Sequence, residues 1–89
     1  MDDKWALSVT ELNEYVRRKL AGDPVLRAVA VRGEISGFKR HVSGHCYFAL
    51  KDETSRVQCV LLRQQAAGLT FQPADGMRVT ARGSASLYV

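Results

Sequence analysis

Phe38-Lys39-Arg40-His41 sets an aromatic ring, two permanent cations and an imidazole side by side, and His45 and Tyr47 follow at once. The combination suits a single-stranded polynucleotide. Cations neutralise phosphates, and an aromatic face offers a stacking surface worth about 1–3 kcal/mol per base. Gly37 and Gly44 bracket the run, which reads as a loop joining two strands. A purely structural reading exists too, a solvated hairpin loop with Phe38 tucked into the end of a barrel. For Phe38 both readings stay open; for Lys39 and Arg40 binding is favoured. His45, Tyr47 and Lys51 then project from one face of the following strand, and Arg56 and Gln58 from the same face of its neighbour, so a polar-aromatic surface adjoins the basic loop. The candidate nucleic-acid-binding set is Phe38, Lys39, Arg40, His41, His45, Tyr47, Lys51 and Arg56. Arg32, Arg63 and Arg82 would widen the patch, but each alone reads as a solvated arginine.

Other chemistry finds little support. His41, His45, Cys46 and Cys59 are the candidate zinc ligands, yet alternation sends His45 and Cys46 to opposite faces and no CxxC pair is present, so no metal site is expected. There is no GxSxG, no HExxH and no acidic cluster able to hold two metals, and the glycine-rich phosphate-binding signatures are missing. Glu34 beside Gly33 reads as a carboxylate at a strand bend, not a general base. No catalytic residue and no cofactor are assigned.

The composition agrees with binding. Thirteen Lys/Arg against nine Asp/Glu give a net charge of +4. The excess lies after residue 23, where nine bases face four acids, and a basic folded surface favours polyanions. With 46% hydrophobic and 25% charged residues the chain reads as a folded domain, not a disordered segment. Eighty-nine residues allow one modest core, since folding at this size buries only roughly 60% of the unfolded surface. Acids precede the short apolar run Trp5–Val9, against a secretory signal, and no apolar stretch approaches the ~20 residues of a membrane span. Two cysteines inside apolar stretches make no disulfide framework. The expectation is a cytoplasmic protein with reduced thiols and no membrane partner.

The elements that must position these residues are legible in the spacing. Ser8-Val9-Thr10-Glu11 is a capping box, with Leu7 and Leu12 at the staple positions. Leu12, Tyr15, Val16 and Leu20 continue at helical spacing to a stop at Gly22 and Pro24, which predicts a helix over about residues 9–21. Beyond Pro24 the pattern alternates: strands over 29–36, 45–51, 56–62 and 77–83, with Asp52–Ser55 as a hairpin turn and a helical turn from Arg63 to Gly68. Short strands with one apolar face and internal glycines favour a small barrel, mainly β with an N-terminal helix. This is the outline of an OB-fold, a five-stranded Greek-key barrel. Residues 1–23 form the capping helix and 24–89 the barrel, one structural unit overall.

Leu7–Asn13, Gly33–His41, Ser43–Asp52, Arg56–Val60 and Asp75–Val79, taken in order, resemble the N-terminal region of the exodeoxyribonuclease VII large-subunit family. The string GEIS-x-FKRH-x-SGH-x-YF-x-LKD is specific, and Gly37 stands where the family commonly has Asn. The resemblance implies a bacterial cytoplasmic hydrolase that degrades single-stranded DNA from either end into oligonucleotides. It also implies a small helical subunit as partner, held through a part of the protein outside these residues. The segment itself would be the OB-fold DNA-binding module, with hydrolysis in a later domain. A tRNA anticodon-binding module and a protein-assembly module are the alternatives. Only four strands are counted before Gly83, and Ser84–Val89 reads as the fourth continuing past a glycine bend. The fifth strand is therefore expected beyond Val89, and the open edge is expected to promote self-association.

Overall fold

The computed structural model describes residues 3–88. Ser8 and Glu11 close the expected box: the Glu11 N–H donates to Ser8 Oγ at 3.0 Å and the Ser8 N–H to Glu11 Oε1 at 2.9 Å. The Ser8 N–H and hydroxyl together hold the Glu11 carboxyl below its ordinary value. Helix α1 runs over Val9–Ala21 and ends at Gly22, with Arg18 and Lys19 in its last turn, where cations oppose the helix dipole. A second, short helix, α2 (Pro24–Arg27), was not expected. Its cause is local. Asp23 Oδ1 accepts the N–H groups of Val25 and Leu26 at 2.8 and 3.3 Å, and Pro24 occupies the first helical position, where its missing N–H costs nothing.

Four strands follow, β1 (Val29–Arg40), β2 (Cys46–Lys51), β3 (Arg56–Leu61) and β4 (Arg78–Gly83), with α3 (Arg63–Ala67) between the last two. Antiparallel pairing joins β1 to β2 and β2 to β3, and β4 returns beside β1 in the order β3-β2-β1-β4. That order is the Greek-key arrangement. Two compact units make up the chain: Val31–Ala81 is one, and the segments on either side of it form the other.

The core of Val31–Ala81 is built from alternate residues. Ile35, Phe48 and Leu50 are buried, and Phe38, Cys59, Leu61, Val79 and Ala81 pack against them. Burying each large apolar side chain contributes about 1.5–3 kcal/mol. Cys46 is wholly buried, and burial raises the Cys59 thiol above its ordinary value.

Two stretches depart from the sequence reading. Gly37–Arg40, expected as loop, belongs to β1, whose pairing with β2 shifts register between Ser36 and Lys39. Gly37 makes the shift feasible with a φ of +64°, a left-handed conformation that side chains resist. The loop before β4 anchors the bulge, because Asp75 Oδ1 accepts the Phe38 N–H at 2.8 Å and the Gly76 N–H donates to the Ile35 carbonyl at 2.8 Å. The second departure is at the other end. β4 stops at Gly83 and does not continue as expected; the Ala85 N–H donates instead to the Leu26 carbonyl at 2.8 Å, and Val89 lies outside the described residues.

Candidate nucleic-acid interface

Register decides which candidates share a surface. Residues directly opposite across a ladder point to the same face, and faces alternate along each strand. Tyr47 stands opposite Lys39 on β1 and Val60 on β3, Ala49 opposite Ser36 and Gln58, and Lys51 opposite Glu34 and Arg56. Lys39, Tyr47, Lys51, Arg56 and Gln58 therefore lie on the face turned away from Phe48 and Leu50. Tyr47 is 38% exposed, enough to present its ring to a ligand. Ala49, between Tyr47 and Lys51, is buried although it belongs to this polar face. Lys51 Nζ sits 3.7 Å from Glu34 Oε2, so its charge is already part-neutralised. That pair is solvent-exposed and contributes little to stability.

The tip of the β1–β2 hairpin carries the second group. The His41 N–H donates to the His45 carbonyl at 2.9 Å and the Gly44 N–H to the His41 carbonyl at 2.9 Å, which closes a tight turn. The Ser43 N–H donates to His41 Nδ1 at 3.2 Å, so Nδ1 serves as an acceptor in this turn. The His41 ring meets Tyr47 edge-on, with centroids 6.3 Å apart and planes at 85°.

Two candidates, Arg40 and His45, occupy places the spacing did not foretell, and Phe38 takes the core position that was one of its two open readings. Arg40 stands opposite Cys46, so it leaves the sheet on the other side from Lys39. Phe38 is half-buried with its ring 6.0 Å from Phe48, packed into the core. His45 is half-buried, and its Nδ1 accepts the Arg63 N–H at 2.8 Å. Sequence reasoning treated Arg63 as isolated, and no local signal could have shown it reaching this turn. Asp52 closes the β2–β3 turn by accepting the N–H groups of Thr54 and Ser55, which lower its carboxyl below the ordinary value.

A separate open cleft of about 820 Å³ lies where Arg32, Glu34, Lys51, Asp52 and Arg78 come together. Among the described residues no group of three or more His, Cys, Asp or Glu side chains could hold a metal ion. No helix among them is long and apolar enough to cross a membrane. The unit Val31–Ala81 carries seven Lys/Arg against four Asp/Glu, so the sheet and its turns stand in a positive field.

The chain is 48% identical over 83 residues to the exodeoxyribonuclease 7 large subunit of Clostridium tetani, a match that covers 93% of this chain and 21% of that protein. It is 51% identical to the protein of the same name from Alkaliphilus metalliredigens, over 93% of this chain and 20% of the relative. The Exiguobacterium sp. protein is also 51% identical, over 92% and 18%. The chain thus spans about a fifth of the length of the curated relatives it matches. A family described as the OB-fold nucleic acid binding domain matches residues 7–89, which takes in α1, all four strands, the exposed Tyr47 and the basic hairpin tip. The helix-plus-Greek-key architecture and the match along most of its length agree: this chain belongs to the OB-fold nucleic acid binding domain family.

Proposed function

We propose that the chain is the single-stranded-DNA-binding module of an exodeoxyribonuclease VII large subunit, a cytoplasmic hydrolase of single-stranded DNA. The observation that carries the reading is the exposed ring of Tyr47, set directly opposite Lys39 on a polar sheet face. A stacking platform beside a phosphate-neutralising cation binds any base, because every base has a π-face and every nucleotide a phosphate. Lys51 and Arg56 extend the cationic line along the same face, and Arg40 adds a cation at the hairpin tip from the other face, beside the His41 imidazole. Phe38 and His45 support the site from beneath, the first by packing on Phe48 and the second by holding α3. In this reading bond cleavage and contacts with a small subunit fall to parts of the whole protein outside the matched region. Any self-association of this chain would proceed through its strand edges.

Titration of a labelled oligothymidine at two salt concentrations, with oligouridine in parallel, tests the reading. Binding to DNA that weakens with salt, without degradation, is the expected result. Absence of binding at low salt overturns it, and a clear preference for RNA replaces it with an RNA-binding module.

A further inference from the structure

Arg63 lies eighteen residues beyond His45 in sequence, yet two independent contacts bring it to the hairpin tip. First, the N-cap of α3 is Leu62, whose side chain accepts no hydrogen bond, so the Arg63 N–H would lack a partner. His45 Nδ1 accepts it at 2.8 Å. Second, the aliphatic stem of Arg63 lies across Gly44. A methyl group built on Gly44 would stand 2.8 Å from Arg63 Cγ and 3.0 Å from Cδ, inside van der Waals contact. Gly44 also has a φ of +91°, which side chains rarely adopt, so glycine is required there twice over. The main chain is held and the stem lies along Gly44, so the guanidinium departs from the turn that carries His41. Arg63 is exposed and in no ion pair among the described residues.

We propose that Arg63 is a phosphate-binding residue of this interface, seated by Gly44 and His45, so that the polynucleotide contacts the side chain opening α3 as well as the β2 face. The proposal rests on the nucleic-acid-binding reading above and extends it to an element outside the sheet. A guanidinium whose main chain is fixed and whose stem rests along the turn loses less freedom on binding than one on an unsupported stem.

The test compares wild type, Arg63→Ala, Arg63→Lys, Gly44→Ala and Gly44→Ala/Arg63→Ala, with oligothymidine as probe across 50–200 mM salt and circular dichroism as the folding control. One lost phosphate contact on a single strand lowers the salt slope by about 0.7, so the affinity ratio across that range shrinks by about 2.6-fold in Arg63→Ala. Arg63→Lys keeps the wild-type slope, because the charge and most of the stem remain. Gly44→Ala weakens binding more in the wild-type background than in Arg63→Ala, where only the strain at its φ of +91° remains. If wild type binds while Arg63→Ala retains its slope, the proposal falls and the interface stands. Equal losses from Gly44→Ala in both backgrounds overturn the seating role. If wild type does not bind at 50 mM salt, the interface reading fails and this proposal with it.

Discussion

Replacing Asp75 with alanine removes the oxygen that holds the β1 bulge across thirty-seven residues of chain. The Phe38 N–H sits within the register shift, where β2 offers it no ladder partner, and Asp75 Oδ1 takes it at 2.8 Å. A hydrogen bond to a charged group contributes about 1.5–3 kcal/mol. This one is solvent-exposed, so water replaces part of it, and a net loss of about 1 kcal/mol is expected. In a domain of this size that lowers the melting temperature by about 4–8 °C. Asp75→Asn keeps an acceptor oxygen in place and should recover part of the loss. The neighbouring bonds from Gly76 to Ile35 and from Ile35 to Met77 survive, so the sheet persists while the bulge loosens. Lys39 then shifts relative to Tyr47, and oligonucleotide affinity falls without a change in salt slope, since no cation is lost. Thermal melts by circular dichroism and exchange of the Phe38 amide measure the two halves of the argument. An unchanged melting temperature with the Phe38 amide still protected in Asp75→Ala would refute it.

Tyr47→Ala should weaken oligothymidine binding by about 1–3 kcal/mol, whereas Lys39→Ala with Arg40→Ala should flatten the salt slope by about 1.4; equilibrium titrations separate the two effects. Gly37→Asn should fold normally because asparagine tolerates a left-handed φ and nothing crowds the position, while Gly37→Val should lower the melting temperature and disturb the bulge. The depressed carboxyls of Glu11 and Asp52 stabilise the fold fully above the ordinary carboxylate range, and that contribution is lost as pH falls below it. Acid melts of Glu11→Gln and Asp52→Asn should therefore show a shallower decline than wild type.

Local chemistry was legible in the sequence and long-range chemistry was not. The Ser8–Glu11 box, the α1 stripe and the Asp52–Ser55 turn each rest on residues within a few positions of one another, and all three formed where the spacing put them. Strand alternation also assigned Cys46, Phe48 and Leu50 to the core correctly. Gly37 was read as the start of a loop, because a glycine that ends a strand and one that bends it look alike. The change of parity from Ile35 to Phe38, both core-facing, was the available sign of a bulge. The opposite exits of Lys39 and Arg40 follow from that bulge and were hidden with it. Pro24, with Gly22, was taken as a stop, although Asp23-Pro24 is equally a helix start. The bonds from Arg63 to His45 and from Phe38 to Asp75 had no local trace, since each depends on how the strands are ordered.

Ala49 gives the polar face a property of its own, that of a ruler. Tyr47 and Lys51 are four residues apart on β2, about 13 Å at the usual rise of a strand, and the alanine between them presents almost no surface. On the proposed reading the two ends of the face would then be separate points of attachment, with Gln58 and Ser36 flanking the alanine between them. A ligand too short to bridge them engages one end alone, and only a strand long enough to reach both gains from the two together. Affinity should accordingly rise in a step with oligonucleotide length instead of growing evenly from the first nucleotide.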